Sequence, residues 1–284
     1  MVIVNIKGGL GNQMFCYAFA KALSIEFDDI KIDNFSFFKK SKIHGGYQLD
    51  KLNIIINSAT IEQIKLLRGS NFFNKKVNII KHKHLVIPYL NFNENLLKLK
   101  GDLYLDGYFQ SEKYFSNIRS ELIKDFKVKN QITESAQKIK QQINRAKKTC
   151  SIHIRRGDYL DQKNSSIYTL VDVNYYNNAI KIITEKEPET CFFIFSDDIE
   201  WVKKNVKPIN CFYIEKNSER NPCEDMHLMS LCKNNIISNS TFGWWGAWLN
   251  QNQNKKIIIP KRWFFDEKLN IQIRGLLCEN WIKL

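Results

Sequence analysis

The sequence lacks any apolar run as long as the ~18 residues that a membrane-spanning helix needs. Its first residues, MVIVNIKGGLGNQMF, are apolar, but no basic segment precedes them and Gly-Asn-Gln interrupts them, unlike a secretory signal. None of the cysteines forms a Cys-x-x-Cys pair, and no His/Cys cluster has zinc spacing. We therefore expect a cytoplasmic protein whose cysteines near apolar runs, Cys150, Cys191 and Cys211, stay reduced in the core.

Acidic residues are few relative to basic ones. Lysine and arginine number 43 against 29 aspartates and glutamates, which leaves a net charge of +14. This excess indicates an acidic partner, which could be nucleic acid, an anionic membrane surface or a phosphorylated small molecule. No basic helix stripe, RNA-binding aromatic motif or zinc finger is present, so we expect no nucleic-acid partner. Solvated surface lysines and peripheral contact with an anionic membrane both remain open.

Short apolar runs alternate with helical patterns after residue 149. The strand-like runs are CSIHI, CFFIF, CFYI, NIIS and KIIIP, at 150–154, 191–195, 211–214, 235–238 and 256–260. This alternation predicts a parallel sheet covered by helices on both faces. Earlier, a strand at 2–6, a glycine-rich loop and a helix from Met14 to Phe27 predict the start of a similar unit. We therefore expect an α/β fold with two Rossmann-like domains facing across a cleft, with boundaries 1–148 and 149–284.

Polar clusters follow several predicted strands, and ligands collect at the carboxyl ends of strands in such sheets. HIRRGDY follows the strand at 150–154. Arginine makes bidentate contacts with phosphate, and Asp158 could hold one arginine rigid while the other faces a ligand, unless the cluster is only a surface ion-pair network. In GGLGNQ at 8–13, the glycines permit close approach of a ligand, although Asn12 could simply cap a helix.

Two later clusters also combine a strand end with a helix start. In SDD at 196–198, Ser196 or Asp197 could cap the next helix, or an acidic side chain could meet a base or a sugar. Two adjacent carboxylates with no further ligand nearby make a poor metal site. In SNSTF, the hydroxyls of Ser240 and Thr241 and the free N–H groups of the next helix predict a phosphate cradle.

Five segments together resemble a known family. GGLGNQMFCYAFAKAL, HIRRGDY, SDDIEWV, EDMHLMSLC and SNSTFGWWGAWL occur in this order between residues 8 and 249. They resemble the bacterial α-1,2-fucosyltransferases of glycosyltransferase family 11, although residues 30–100 carry no motif of that family. The resemblance implies a GT-B fold, GDP-L-fucose as donor and the 2-hydroxyl of a terminal galactoside in a cell-surface glycan or oligosaccharide as acceptor. It also implies inversion at the anomeric carbon and no metal or other cofactor.

The resemblance implies which residues hold the donor diphosphate. Arg155 would bind the β-phosphate, and Ser240, Thr241 and the backbone near Phe242 would share it. Breaking the bond from fucose to GDP leaves negative charge on that phosphate, and fixed donors in a dry cleft can stabilise it.

The resemblance assigns the remaining site residues as well. His153 and Asp225 would contact guanine, although Asp225 in a first helical turn is also stabilised by the helix dipole alone. Asn12 would lie near the sugar or phosphate, and Asp197 would belong to the donor site. Asp158 is a candidate for the general base, but it could pair with the second arginine instead.

The implied arrangement places the acceptor on domain 1–148 and the nucleotide sugar on domain 149–284, with a C-terminal segment that could pack back on the first domain. The enzyme would be cytoplasmic, with membrane association at the inner face of the membrane left open. Two alternatives remain: a GT-B transferase of different linkage or acceptor, and a basic nucleic-acid-binding protein.

Overall fold

The computed structural model describes residues 1–40, 45–69, 83–88 and 90–284. The chain divides into two compact units, Met1–Lys127 and Val128–Leu284. Each unit contains one sheet, and all strand pairs within the described ranges are parallel. The α/β class expected from the alternating pattern is therefore confirmed.

The first unit is built on a four-stranded sheet. Its strands are β1 (Val2–Asn5), β2 (Ile30–Asp33), β3 (His84–Val86) and β4 (Leu103–Asp106), in the spatial order β2–β1–β4–β3. Its helices are α1 (Leu10–Leu23), α2 (Ser36–Lys40), α3 (Ile61–Arg68) and α4 (Arg119–Asp125). All four side chains of β1 are buried, which agrees with a parallel strand covered on both faces.

The helix after the glycine-rich loop occupies a different stretch from the predicted one. It begins at Leu10 and ends at Leu23, whereas the pattern predicted Met14 to Phe27. Gly9 precedes the first turn in an extended conformation, so part of the predicted loop is already helical. Almost every side chain of α1 is buried, and no polar face therefore marks its ends in the sequence.

The second unit is built on a six-stranded sheet. Its strands are β5 (Thr149–Ile154), β6 (Cys191–Ser196), β7 (Cys211–Ile214), β8 (Asn234–Ile236), β9 (Ile257–Ile259) and β10 (Ile282–Lys283). Its helices are α5 (Glu134–Arg145), α6 (Gln162–Ser165), α7 (Val173–Thr184), α8 (Ile199–Asn205), α9 (Pro222–Leu231), α10 (Thr241–Trp248) and α11 (Glu267–Gln272). Strands β5 to β9 are close to the five apolar runs predicted as strands after residue 149.

The order of strands in this sheet locates its ligand-binding edge. The spatial order is β10–β9–β8–β5–β6–β7, so the chain adds β6 and β7 on one side of β5 and then crosses to add β8, β9 and β10 on the other. This is the dinucleotide-fold order, and the direction of winding reverses between β5 and β8. The carboxyl ends of β5 and β8 therefore flank the crevice in which ligands of such sheets bind.

The second sheet has a separate apolar core on each face. Helix α7 packs through Tyr176 on the face that carries Ile194, and α5 and α9 pack through Ile143 and Leu228 on the face that carries Phe193. Neighbouring residues of β6 thus belong to opposite cores. Each such buried side chain contributes about 1.5–3 kcal/mol to stability.

The division of the chain differs from the predicted boundary at residues 148 and 149. Helix α5 lies inside the predicted first domain, 1–148, but Ile139 and Ile143 of this helix are buried in the core of the second unit. The apolar stripe of a helix is visible in the sequence, whereas the sheet that covers this stripe is not.

The C-terminal segment, for which packing on the first domain was left open, belongs to the second unit. Ile282 and Lys283 pair with Ile258 and Ile259 and form the edge strand of the second sheet. Before this strand, the Trp281 ring lies 5.5 Å from that of a buried tryptophan in α10, in agreement with a packing role for the tryptophans of that helix.

Two observations bear on membranes and on cysteines. Among the described residues, no helix combines the length and the apolar character that crossing a bilayer requires. All seven cysteines are free, as expected. Cys150 is buried, but Cys191 and Cys211 are partly exposed because they begin the last two strands at one side of the sheet.

Candidate active site

The predicted site residues of the second unit gather at the carboxyl ends of β5, β6 and β8. His153 lies near the end of β5, and the backbone N–H of Ser238, just after β8, donates to its carbonyl at 3.0 Å. Asp197 follows β6, the strand paired with β5 on its other side. Three polar clusters that are distant in sequence therefore meet where the winding of the sheet reverses.

Arg155 directly follows β5 and lies between two carboxylates. Its Nη2 is 2.7 Å from Asp158 Oδ1, and its Nη1 is 2.9 Å from Asp197 Oδ2. Burial favours the neutral guanidine, but the charges of Asp197 and Asp158 outweigh burial and raise the pKa of Arg155. Each Nη atom carries two N–H groups, so the two ion pairs leave donors on the same side chain for another anion. Arg155 is thus charged, fixed in place and able to bind phosphate.

Arg156 has different partners and a different role. Its Nε donates to Asp198 Oδ2 at 3.2 Å, and its guanidinium lies 3.7 Å from the centre of the Trp201 ring. A cation–π contact of this kind contributes about 0.5–2 kcal/mol. The alternative that Asp158 pairs with Arg156 is wrong, because its ionic partner is Arg155. Two adjacent arginines are compatible with folding because each has its own carboxylate.

Asp197 links both arginines to the sheet. Its Oδ2 pairs with Arg155, and its Oδ1 accepts the backbone N–H of Arg156 at 2.9 Å. The loop after β5 passes so close that a Cβ on Gly157 would lie 2.9 Å from Asp197 Oδ2. Glycine at this position therefore allows the loop to approach the carboxylate.

The helix cap in this region is one residue later than expected. Ser196 and Asp197 were the candidate caps of α8, but Asp198 is the cap, and its Oδ1 accepts the N–H of Trp201 at 3.3 Å. Ser196 instead accepts the N–H of Asp198 through its hydroxyl at 3.0 Å. Asp197 is consequently available to hold Arg155.

His153 is buried beside the start of α10. Its Nδ1 lies 3.1 Å from Ser238 Oγ, and its ring centre is 5.4 Å from that of Phe242. Burial lowers the pKa of His153 to about 4, so the imidazole is neutral near pH 7. A neutral ring with Nδ1 next to a hydroxyl presents Nε2 as one defined hydrogen-bonding atom. His153 is therefore suited to hydrogen bonding and not to carrying charge.

The start of α10 has the features of an anion cradle. Ser240 is the N-cap, and its Oγ accepts the N–H of Phe242 at 3.3 Å. Its hydroxyl hydrogen can still be donated, and the first N–H groups of a helix together with its dipole favour an anion. Ser240 is buried, whereas Thr241 and Phe242 are partly exposed. The predicted cradle thus has the expected local structure.

Asp225 lies in the first turn of α9, where it pairs with an arginine that the motifs do not include. Arg220 Nε contacts Asp225 Oδ1, and the arginine is itself buried. Burial raises the pKa of Asp225, and the charge of Arg220 opposes this rise. Helix α9 packs against β5 and α10 of the second unit.

Asn12 lies in the first unit, within α1 and not in a loop. The alternative that it caps the helix is wrong, because the cap position is Gly9. Its Oδ1 accepts a hydrogen bond from Gln110 Nε2 at 2.8 Å. Gly8 has φ +76°, and a Cβ there would lie 2.8 Å from Asn12 Nδ2. The glycine is therefore needed for the turn and for close packing on Asn12.

Several residues that complete the site were not found from the sequence. They are Ser238 beside His153, Asp198 beside the second arginine, Arg220 beside Asp225, and Tyr159, whose hydroxyl donates to the carbonyl of Asn239 at 2.9 Å. Asp198, Ser238 and Tyr159 lie inside the quoted motifs, whereas Arg220 lies outside them. The described residues contain no group of three or more His, Cys, Asp or Glu side chains arranged to hold a metal ion.

Comparison with known proteins places the whole chain in one sequence family. Residues 1–284 match the family described as glycosyl transferase family 11. An α-1,2-colitosyltransferase of Escherichia coli is 35% identical and covers 95% of this chain and 94% of the relative. An O-antigen biosynthesis glycosyltransferase of the same species, WbnK, is 31% identical over 98% of this chain and 99% of the relative. A galactoside 2-α-L-fucosyltransferase of Bos taurus is 23% identical over 87% of this chain and 63% of its own length.

Solved structures support the fold. Arabidopsis thaliana FUT1, solved in complex with GDP, aligns with a TM-score of 0.50 at 14% identity, over 92% of this chain and 70% of the other. Fucosyltransferase NodZ from Bradyrhizobium aligns with a TM-score of 0.51 at 12% identity, over 86% and 91%. The expected GT-B type of α/β fold, with two Rossmann-like units, is thereby confirmed.

Proposed function

Because the chain belongs to glycosyl transferase family 11, we propose that it moves L-fucose from GDP-L-fucose to the 2-hydroxyl of a terminal galactoside, with inversion and without a metal. One observation carries this proposal. Arg155, held by two carboxylates, and the capped N-terminus of α10 follow the two strands between which the winding of the second sheet reverses. The diphosphate of a bound nucleotide lies in the crevice between two such strand ends in sheets of this order.

The phosphate-binding residues supply the main catalytic effect in this proposal. Arg155 binds the β-phosphate, the hydroxyls of Ser240 and Thr241 donate to it, and the N–H of Phe242 adds to the positive end of α10. Charge that develops on the leaving GDP is stabilised by these fixed donors as the sugar becomes oxocarbenium-like. Removal of one such donor raises the barrier by about 2.7–4 kcal/mol.

The remaining assigned residues orient the donor. His153 and Asp225 hold guanine, since one offers a neutral ring nitrogen and the other a carboxylate for the N–H groups of the base. Asp197 contributes by holding Arg155 and belongs to the donor site. Asn12, on the first unit, contacts the sugar or the phosphate.

The acceptor hydroxyl must lose a proton as it attacks the anomeric carbon from the face opposite GDP. We assign this base role to Asp158. The side chain of Asp158 is 25% exposed, so an acceptor hydroxyl can reach its carboxylate, and the ion pair of its Oδ1 with Arg155 holds the carboxylate in place. A positioned base contributes about 10²–10⁴-fold to the rate.

In the same proposal, the first unit binds the acceptor and the second binds the donor. The acceptor is a cell-surface glycan or oligosaccharide.

A net charge of +14 supports peripheral contact with anionic lipid at the inner face of the membrane by a cytoplasmic enzyme. Co-sedimentation with phosphatidylglycerol vesicles at low salt, lost at high salt, is the expected result. If the protein is absent from the vesicle pellet at low salt, the membrane contact is contradicted and the rest of the proposal is unaffected.

A second candidate is transfer of colitose from the corresponding nucleotide sugar. The relative named as an α-1,2-colitosyltransferase covers nearly the whole chain at 35% identity. Colitose is L-fucose without the 3-hydroxyl group, so the same phosphate and guanine contacts would serve both donors. Only the contacts to one sugar hydroxyl separate the two candidates.

The direct test is a transfer reaction in EDTA with a β-galactoside acceptor and either GDP-L-fucose or GDP-colitose. We expect a product in which NMR shows the new sugar on the 2-hydroxyl, faster formation with GDP-L-fucose, and loss of product with Arg155→Ala. The matched control is Arg145→Ala, which removes an exposed arginine at the end of α5. Faster transfer of colitose would favour the second candidate. No transfer with either donor would contradict both.

A further inference from the structure

The loop between β7 and α9 contains a buried arginine that no motif includes. The side chain of Arg220 is only 3% exposed. Arginine is rarely buried unless its charge and its donors all have partners. Each of its three nitrogens has one: Nε contacts Asp225 Oδ1, Nη2 donates to the carbonyl of Glu215 at 2.7 Å, and Nη1 donates to Ser135 Oγ at 3.1 Å. Arg220 is therefore fixed at three points.

The partner carboxylate is more open than the arginine. The side chain of Asp225 is 30% exposed, ten times the fraction of Arg220. Arg220 holds Oδ1, and among the described residues no hydrogen bond reaches Oδ2. The ion pair is thus closed on the arginine side and open on the carboxylate side. Such an arrangement fixes the direction in which the carboxylate can accept hydrogen bonds.

A fixed carboxylate matches one nucleobase best. The edge of guanine presents two donors side by side, its N1–H and its 2-amino group, and the two oxygens of a carboxylate can accept both. Hypoxanthine presents only the N1–H, and adenine has an acceptor at N1. Asp225 therefore favours guanine over the other bases only while its carboxylate is ionised and oriented toward the two N–H groups of the base.

We propose that Arg220 is the positioning residue that gives the nucleotide site its preference for guanine, by holding Asp225 in the orientation that accepts both N–H groups. This inference rests on the proposed function, since it takes a GDP-linked sugar as the donor. Arg220 touches no substrate and acts through Asp225. Its contact with Ser135 of α5 anchors the arginine from the other side.

The test measures the ratio of affinities for GDP and IDP by calorimetry in EDTA. IDP lacks only the 2-amino group, so its diphosphate contacts are unchanged. We expect the wild-type protein to bind GDP at least about tenfold more tightly than IDP, as for a hydrogen bond to a charged group. In Arg220→Gln, the ratio should approach one, because GDP loses affinity and IDP loses little. Arg145→Gln makes the same substitution at an exposed site and should leave the ratio unchanged.

A double-mutant cycle separates positioning from general damage. In an Asp225→Asn background, Arg220→Gln should not lower the ratio further, because the group that Arg220 positions has lost its charge. Arg220→Lys keeps the charge with fewer directed donors, so it should give an intermediate ratio of GDP to IDP affinity. If circular dichroism shows that Arg220→Gln does not fold, Arg220→Lys takes its place in the test.

Each outcome of these titrations either supports or contradicts the proposed role of Arg220. A wild-type ratio near one, an unchanged ratio in both Arg220 variants, or an equal loss of affinity for GDP and IDP would overturn the role of Arg220. Failure of the wild-type protein to bind GDP at all would instead contradict the proposed function itself.

Discussion

Gly243 stands in the first turn of α10 directly against the ring of His153. A Cβ at this position would lie 2.7 Å from Nδ1 of that ring and 3.3 Å from Cβ of Ile237. His153 is only 6% exposed, and its Nδ1 lies 3.1 Å from Ser238 Oγ, so the ring has little room to move away. Overpacking of this kind costs about 1–3 kcal/mol, and the greater helix propensity of alanine returns about 0.5–1 kcal/mol. We therefore expect Gly243→Ala to lower the free energy of unfolding by about 1–2 kcal/mol.

The assay is denaturant unfolding followed by circular dichroism, with the same substitution made in a His153→Ala background. There the ring is absent, and only the contact with Ile237 remains tight. Gly243→Ala should then be neutral or slightly stabilising, so that the cycle gives a coupling of about 1–2 kcal/mol between the two positions. Equal destabilisation in both backgrounds would refute the claim that His153 is packed against the start of α10.

Three further predictions concern titratable side chains of the site. His153 is neutral when folded, with a pKa of about 4 against 6.5 when unfolded, so the free energy of unfolding should fall by ~3 kcal/mol as pH drops from 6.5 to 4. His153→Gln should remove that part of the pH dependence in urea unfolding series, and an unaltered profile would contradict it. Arg156→Ala should destabilise the fold by about 1–2 kcal/mol through lost contacts with Trp201, yet calorimetry should show GDP affinity close to wild type. Asp158→Asn should lower turnover by about 10²-fold or more, with GDP affinity reduced by no more than about fivefold because Asp197 still holds Arg155. Equal losses of turnover and affinity would argue against Asp158 as the base.

The second sheet could be predicted well because its strands are short apolar runs between helical patterns. CFYI at 211–214 coincides with β7, and the ends of β5, β6 and β9 agree within a residue. β2, β3 and β10 were not predicted. β2 is largely buried, but its four residues IKID include a lysine and an aspartate and so form no continuous apolar run. β3 is mostly exposed, and β10 has two residues, so neither has the burial that produces a readable pattern.

Prediction of the site was limited in a different way. That the arginine pair and the SNSTF segment meet follows from strand ends and winding alone. Which carboxylate holds which arginine does not, because such pairing depends on loop geometry: Asp158 turns back to Arg155 within one 3₁₀ turn. Arg220 was missed since nothing in the sequence distinguishes a buried arginine from an exposed one.

The central claim is that Arg155 and the start of α10 bind the diphosphate of a guanosine nucleotide. The measurement that tests it most directly is calorimetric titration of the protein with GDP and with UDP in EDTA, for wild type, Arg155→Ala and the neighbouring control Arg156→Ala. We expect GDP to bind without metal, UDP not to bind, and the affinity for GDP to fall by about 10²-fold or more only in Arg155→Ala. Equal binding of GDP by the wild type and Arg155→Ala, or no binding of either nucleotide, would contradict the account.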